Sequence, residues 1–111
     1  MGLPGDYTSA SRFVRASFVK ENSPIYDDPI ASVNQCFHML DTVAHPEGAV
    51  MIGDDYEITQ YSSVCDAQNG KYYIKTYRNC QISATCMMDF DLEDNKIIKY
   101  KIPGETNILH L

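Results

Sequence analysis

Apolar residues recur at helical spacing in the first half of the chain and at strand spacing in the second. Ala10, Val14 and Phe18 repeat every four residues, with Phe13 and Ser17 on the adjoining stripe. Arg12, Arg15 and Lys20 occupy the remaining faces, which predicts an amphipathic helix from residue 8 to about 21. Before it, Pro4-Gly5 marks a tight turn, and Asp6, Thr8 and Ser9 offer oxygens to the exposed amides of a helix start. Asn22-Ser23-Pro24 ends the helix, because proline disfavours helical backbone in the residue before it. A second helix follows. Asp27 or Asp28 can cap it, Pro29 sits in its first turn where a missing amide costs nothing, and Ile30, Val33, Phe37, Leu40 and Ala44 form its stripe. Cys36 and Val43 widen that stripe, and Pro46 and Gly48 close it.

After Gly53-Asp54 the period changes to two. Tyr56 to Ser62 alternates and is rich in strand formers, which predicts one continuous strand. Gln68-Asn69-Gly70-Lys71 is the strongest hairpin signal, since Asn-Gly readily supplies two residues of positive φ. Lys71–Tyr77 is the return strand, Gln81–Met87 a third, Asp91–Asn95 a polar turn and Lys96–Tyr100 a short fourth strand; the chain from Pro103 reads as a tail. Two helices followed by an antiparallel meander make an α+β chain. Nothing marks an internal boundary, so residues 1–111 read as a single partial domain.

Composition narrows the functional classes. A net charge of -6 with no Lys/Arg cluster argues against nucleic acid as a partner. No apolar run reaches the length of a membrane span, and no basic-then-apolar leader opens the sequence, so a cytoplasmic location and no membrane partner are expected. Cys36, Cys65, Cys80 and Cys86 show no CxxC spacing and do not cluster with His38, His45 or His110. They read as buried or half-buried free thiols, and neither metal nor organic cofactor is expected. The tyrosines at 56, 61, 72, 73, 77 and 100 read as strand packing, Asp89–Asn95 as a plain acidic turn, and Met87-Met88 as core filler.

One feature points to chemistry. Arg12 and Arg15 leave the first helix three residues apart, hence on one face. On local physics alone such a pair is a solvated surface. Beside a glycine-rich turn and open helix amides, however, a guanidinium makes a corner that favours a carboxylate, a thiolate or a developing oxyanion.

The run Gly2-Leu3-Pro4-Gly5-Asp6 followed by Ser11-Arg12-Phe13-Val14-Arg15 resembles a stretch of the choloylglycine hydrolase family, the bile salt hydrolases and penicillin V acylases. Phe37-His38 with Leu40, His45-Pro46-Glu47-Gly48-Ala49-Val50, Tyr56 to Cys65, and Lys71-Tyr72-Tyr73 through Asn79 are similar to successive parts of the C-terminal third of such enzymes. The resemblance implies part of an N-terminal-nucleophile αββα sandwich that hydrolyses linear amides without a cofactor. Glycine- or taurine-conjugated bile acids are the implied substrates, with penicillin V as the family's other class. It also implies that Arg12 is an active-site residue near the nucleophilic sulfur, while Arg15 is structural. A fixed positive charge there favours a thiolate and steadies charge on the substrate carbonyl.

The family's nucleophile is an N-terminal cysteine, whose own amine serves as base. Position 2 here is Gly2, and none of the four cysteines has a free α-amine beside its thiol. The chain alone is therefore expected to be inactive. Its expected partners are an amide substrate and either further copies or a complementing N-terminal fragment. The competing expectation is a non-catalytic binding or scaffold remnant of the same fold.

Overall fold

Thr8 starts the first helix. Its backbone is extended (φ -64°, ψ 154°), its hydroxyl accepts the Ser11 N–H at 3.4 Å and its carbonyl accepts the Arg12 N–H at 2.9 Å. Helix α1 then runs over Ser9–Asn22 and stops where the Ser23 hydroxyl donates to Val19 O at 2.7 Å, ahead of Pro24. Helix α2 spans Pro29–Asp41; the Asp28 carboxylate accepts the Ala31 N–H at 2.9 Å, and Pro29 occupies the first turn. The computed structural model describes residues 2–111 and divides them into two units, one ending at Thr59 and the other starting at Gln60.

Within the first unit, α1 packs against α2. Val33 and Phe37, one turn apart on α2, supply the buried apolar core, and Phe37 keeps only 3% of its surface exposed. On α1 the buried residue is Ser11, while Phe13 is 72% and Val14 44% exposed. Ala10 and Val14 of the stripe are thus exposed, and Phe18, two turns from Ser11, is half-buried; Arg12 and Arg15 lie on the other side of Ser11. A hairpin of β1 (Val50–Ile52) and β2 (Asp55–Glu57) follows, with Ile52 opposite Asp55. Gly53 opens its two-residue loop with φ +62°, the first-position glycine of a II′ turn.

The second unit is a three-stranded antiparallel sheet ordered β3 (Tyr61–Asp66), β4 (Lys71–Thr76), β5 (Ser83–Cys86). Tyr73 pairs with Val64 and Ala84, and Ile74 with Ser63 and Ser83. These two are its buried apolar residues, and as consecutive strand positions they point to opposite faces. Buried Asn79 closes the turn after β4, donating its N–H to Thr76 Oγ1 at 3.1 Å and accepting the Gln81 N–H on Oδ1 at 3.0 Å.

The α+β class and both helices are as the sequence predicts, and several details differ. The predicted strand Tyr56–Ser62 is two short strands in two sheets, because Thr59 turns away to bond the loop after α2. In the β3–β4 loop only Gly70 has positive φ (+64°), so Asn69-Gly70 closes a four-residue loop rather than a two-residue one. Asp66 organises it, accepting the Asn69 N–H at 3.1 Å and the Asn69 side-chain amide at 2.7 Å. Lys96–Tyr100 forms no strand, and Ile97 is exposed. Met87 and Met88 lie exposed around a 3-10 turn, Met87–Asp89, instead of filling a core. Cys65 and Cys80 are exposed free thiols, and of the tyrosines at 56, 61, 72, 73, 77 and 100 only Tyr73 is buried.

Candidate functional site

The two arginines end on the same short segment. Arg12 Nε donates to Val43 O at 2.9 Å, and Arg15 Nε donates to Thr42 O at 3.3 Å. Thr42 is the C-terminal cap of α2, so both guanidiniums meet carbonyls just where that helix leaves its acceptors unpaired and its dipole is negative. Arg15 also reaches back to the N-terminal turn: its Nη1 donates to Pro4 O at 2.8 Å and to Asp6 O at 2.6 Å. Its guanidinium carbon lies 6.0 Å from the centre of the Tyr7 ring.

The turn is itself tied to the helix it precedes. Asp6 accepts the Thr8 N–H at 2.9 Å, the Thr8 hydroxyl and the Ser11 hydroxyl. The Thr8 side chain above all, then the Thr8 amide and Ser11, hold the Asp6 carboxyl below its ordinary pKa, with Arg15 adding a smaller electrostatic pull. A charged, fully hydrogen-bonded Asp6 thereby fixes the start of α1.

Arg12 and Arg15 are consequently used differently. Arg15 spends both Nε and Nη1 on three backbone carbonyls. Among the described residues, Arg12 is held through Nε alone, which leaves its terminal nitrogens as donors on a half-buried, pre-aimed cation. This corner can bind or stabilise a negative charge. Among the described residues no three His, Cys, Asp or Glu side chains gather as a metal site, and no helix is long and apolar enough to cross a membrane.

One cluster was not singled out from the sequence. His45, 6% exposed, packs edge-on against Tyr7 with ring centres 5.2 Å apart, and its Nδ1 lies 3.6 Å from Glu57 Oε2. Its backbone is pinned in both directions by Thr59, whose hydroxyl accepts the His45 N–H at 2.8 Å and whose own N–H donates to His45 O at 3.0 Å. The only local hint was a histidine directly before Pro46 at a helix exit.

The profile of the linear amide C-N hydrolases, choloylglycine hydrolase family, matches residues 1–100. The chain belongs to this family. It is 42% identical over 106 residues to a bile salt hydrolase/transferase of Lactiplantibacillus plantarum, covering 95% of this chain and 33% of that protein. A bile salt hydrolase/transferase of Clostridium perfringens is 36% identical over 112 residues, covering 100% of this chain and 34% of that one. Among solved structures, the conjugated bile acid hydrolase of Clostridium perfringens (a mutant form) superposes with a TM-score of 0.85 at 36% identity, over 99% of this chain and 34% of that chain. Penicillin V acylase of Agrobacterium tumefaciens superposes with a TM-score of 0.73 at 25% identity, over 86% and 30% respectively. The chain therefore spans about a third of the length of these choloylglycine hydrolase relatives, in their C-terminal portion, with the helix-then-sheet order of the N-terminal-nucleophile hydrolases.

Proposed function

We propose that these residues form the C-terminal third of a linear-amide hydrolase acting on glycine- or taurine-conjugated bile acids, and that Arg12 is the active-site residue they contribute. On this reading residues 1–111 are one partial domain, completed by the part of the enzyme that carries the N-terminal cysteine. The thiolate attacks the amide carbonyl, and the tetrahedral intermediate collapses to an acyl-enzyme that water then hydrolyses. Arg12 lies beside the sulfur, favours its ionised form and faces the oxygen on which charge develops.

The observation that carries the reading is the near-complete match of this chain to bile salt hydrolases at 36 to 42% identity. The way Arg12 is held supports the role given to it, since its Nε is anchored while its terminal donors are not. Penicillin V acylase activity is the second reading, favoured by the superposition on the Agrobacterium tumefaciens enzyme, which is the more distant of the two.

The test starts from the native product in its source cells. A mass well above 12.5 kDa with cysteine as the processed N-terminal residue supports the reading, and conjugated bile acids and penicillin V are then assayed side by side. A product of 12.5 kDa beginning at Met1 or Gly2 removes autonomous cysteine catalysis and leaves a split partner or a non-catalytic remnant.

A further inference from the structure

We propose that His45 is a positioning residue for Arg12. The inference rests on Arg12 acting at the reaction centre, and it concerns how that guanidinium is held there.

Arg12 takes its direction from one carbonyl, Val43 O, two residues before His45. The Val43 N–H donates to Leu40 O at 3.1 Å and the Ala44 N–H to Asp41 O at 3.4 Å, so the end of α2 sets where this segment starts. His45 sets where it ends. The reciprocal bonds with Thr59 lock the backbone at 45, and the ring is wedged between Tyr7 of the N-terminal turn and Glu57 of β2. Tyr7 in turn lies under the Arg15 guanidinium, whose Nε holds Thr42 O. The four residues 42–45 are therefore clamped at both ends, and the Arg12 acceptor sits inside the clamp.

The chemistry of the ring is the second observation. The Glu57 carboxylate faces Nδ1 at 3.6 Å, an ion-pair distance too long for a hydrogen bond. Nε2, on the other side of the ring, is buried without a partner among the described residues, a destabilising arrangement that a phenyl ring of similar volume would not suffer. Packing alone would thus be served better by phenylalanine. The imidazole differs from phenyl in the polar edge it turns to Glu57, and this edge sets the rotation of the ring and, through it, residues 42–45. The charged groups around it are Glu57 from β2 and Arg15 beyond Tyr7.

The test is His45→Phe in the complete enzyme. The expected result is a Tm equal to or above that of the unaltered enzyme, a kcat lower by roughly 10- to 100-fold, the scale of a displaced reactive group, and a KM within about twofold. The resonance of the Arg12 Nε–H, bonded to Val43 O in the unaltered enzyme, should shift and lose protection from exchange. Glu57→Leu should reproduce the kcat loss, and Glu57→Gln, which keeps an acceptor opposite Nδ1, should restore most of it. Opposite movement of stability and kcat separates positioning from a purely structural role, which moves both together. An unchanged Arg12 Nε–H signal in His45→Phe, or a kcat that falls only in step with Tm, overturns the proposal. If Arg12→Ala leaves hydrolysis intact while the Nε–H signal still depends on His45, the reading of Arg12 fails and the link between the two residues stands.

Discussion

Helices α1 and α2 lie side by side, yet different forces hold them. α2 buries Val33 and Phe37, so burial of apolar area, which has no preferred direction, fixes it. α1 buries a serine and leaves Phe13 and Val14 exposed; it is held by the Thr8 cap, the Asp6 network and two guanidiniums on the end of α2. Hydrogen bonds are directional where apolar contact is not. The helix that carries the candidate active-site cation is thus oriented by bonds that fix an angle, while its neighbour provides bulk stability. Phe13 and Val14 of α1 are left uncovered, as expected of a chain that spans a third of its relatives' length.

Four changes sharpen this contrast, each made in the complete protein. The largest is Phe37→Ala, which should cost about 3–5 kcal/mol in denaturant unfolding, because it leaves a cavity in the small apolar core. Arg12→Ala removes one of the bonds that hold α1 and should cost about 1–3 kcal/mol of stability, while lowering kcat/KM by roughly 10²- to 10³-fold, the scale of removing one donor to a developing oxyanion. Loss of stability without loss of activity in that variant would sink the assignment of Arg12 to the site. Asp28→Ala strips the cap from α2 and should cost about 1 kcal/mol with kcat untouched.

The smallest effect is on pH dependence. Hydrogen bonds from Thr8 and Ser11 lower the Asp6 pKa in the folded protein, and those from Asn69 do the same for Asp66. Each contributes stability that is complete above the ordinary carboxyl value of about 3.9 and is lost as pH falls through the lower folded value. Asp6→Asn should flatten the stability profile below about pH 4, read as urea midpoint against pH, while the share due to Asp66 remains.

Where punctuation is local, the sequence was readable. Asp28-Pro29, Asn22-Ser23-Pro24 and the Asp6–Thr8 turn state the helix ends within a few residues, and the structure places them there. The spacing of Arg12 and Arg15 likewise showed that they share a face, and both guanidiniums end on carbonyls at the C-terminal end of α2. Their acceptors were not readable, because Thr42 and Val43 lie 27 and 31 residues away and offer only backbone oxygens, which no side-chain pattern announces. The break at Ile58–Gln60 was hidden for a similar reason. Thr59 is a good strand former, and only its tertiary bonds to His45 divert it from the ladder. What covers the apolar side of α1 was not readable either, because apolar periodicity identifies a stripe to be covered without saying that the covering group lies within the chain.

The span between Arg12 and Val43 also bears on when the corner comes into being. A separation of 31 residues, most of them in two helices, closes cheaply compared with the pairing of distant strands. The guanidinium is expected to acquire its direction as soon as the two helices meet, before the β3–β4–β5 sheet is complete. Kinetic φ-values near 1 for Val33 and Phe37, against values near 0 for Tyr73 and Ile74, would bear this out, and the reverse order would refute it. On that order of events the aim of Arg12 is an early product of folding, already in place before the sheet has formed.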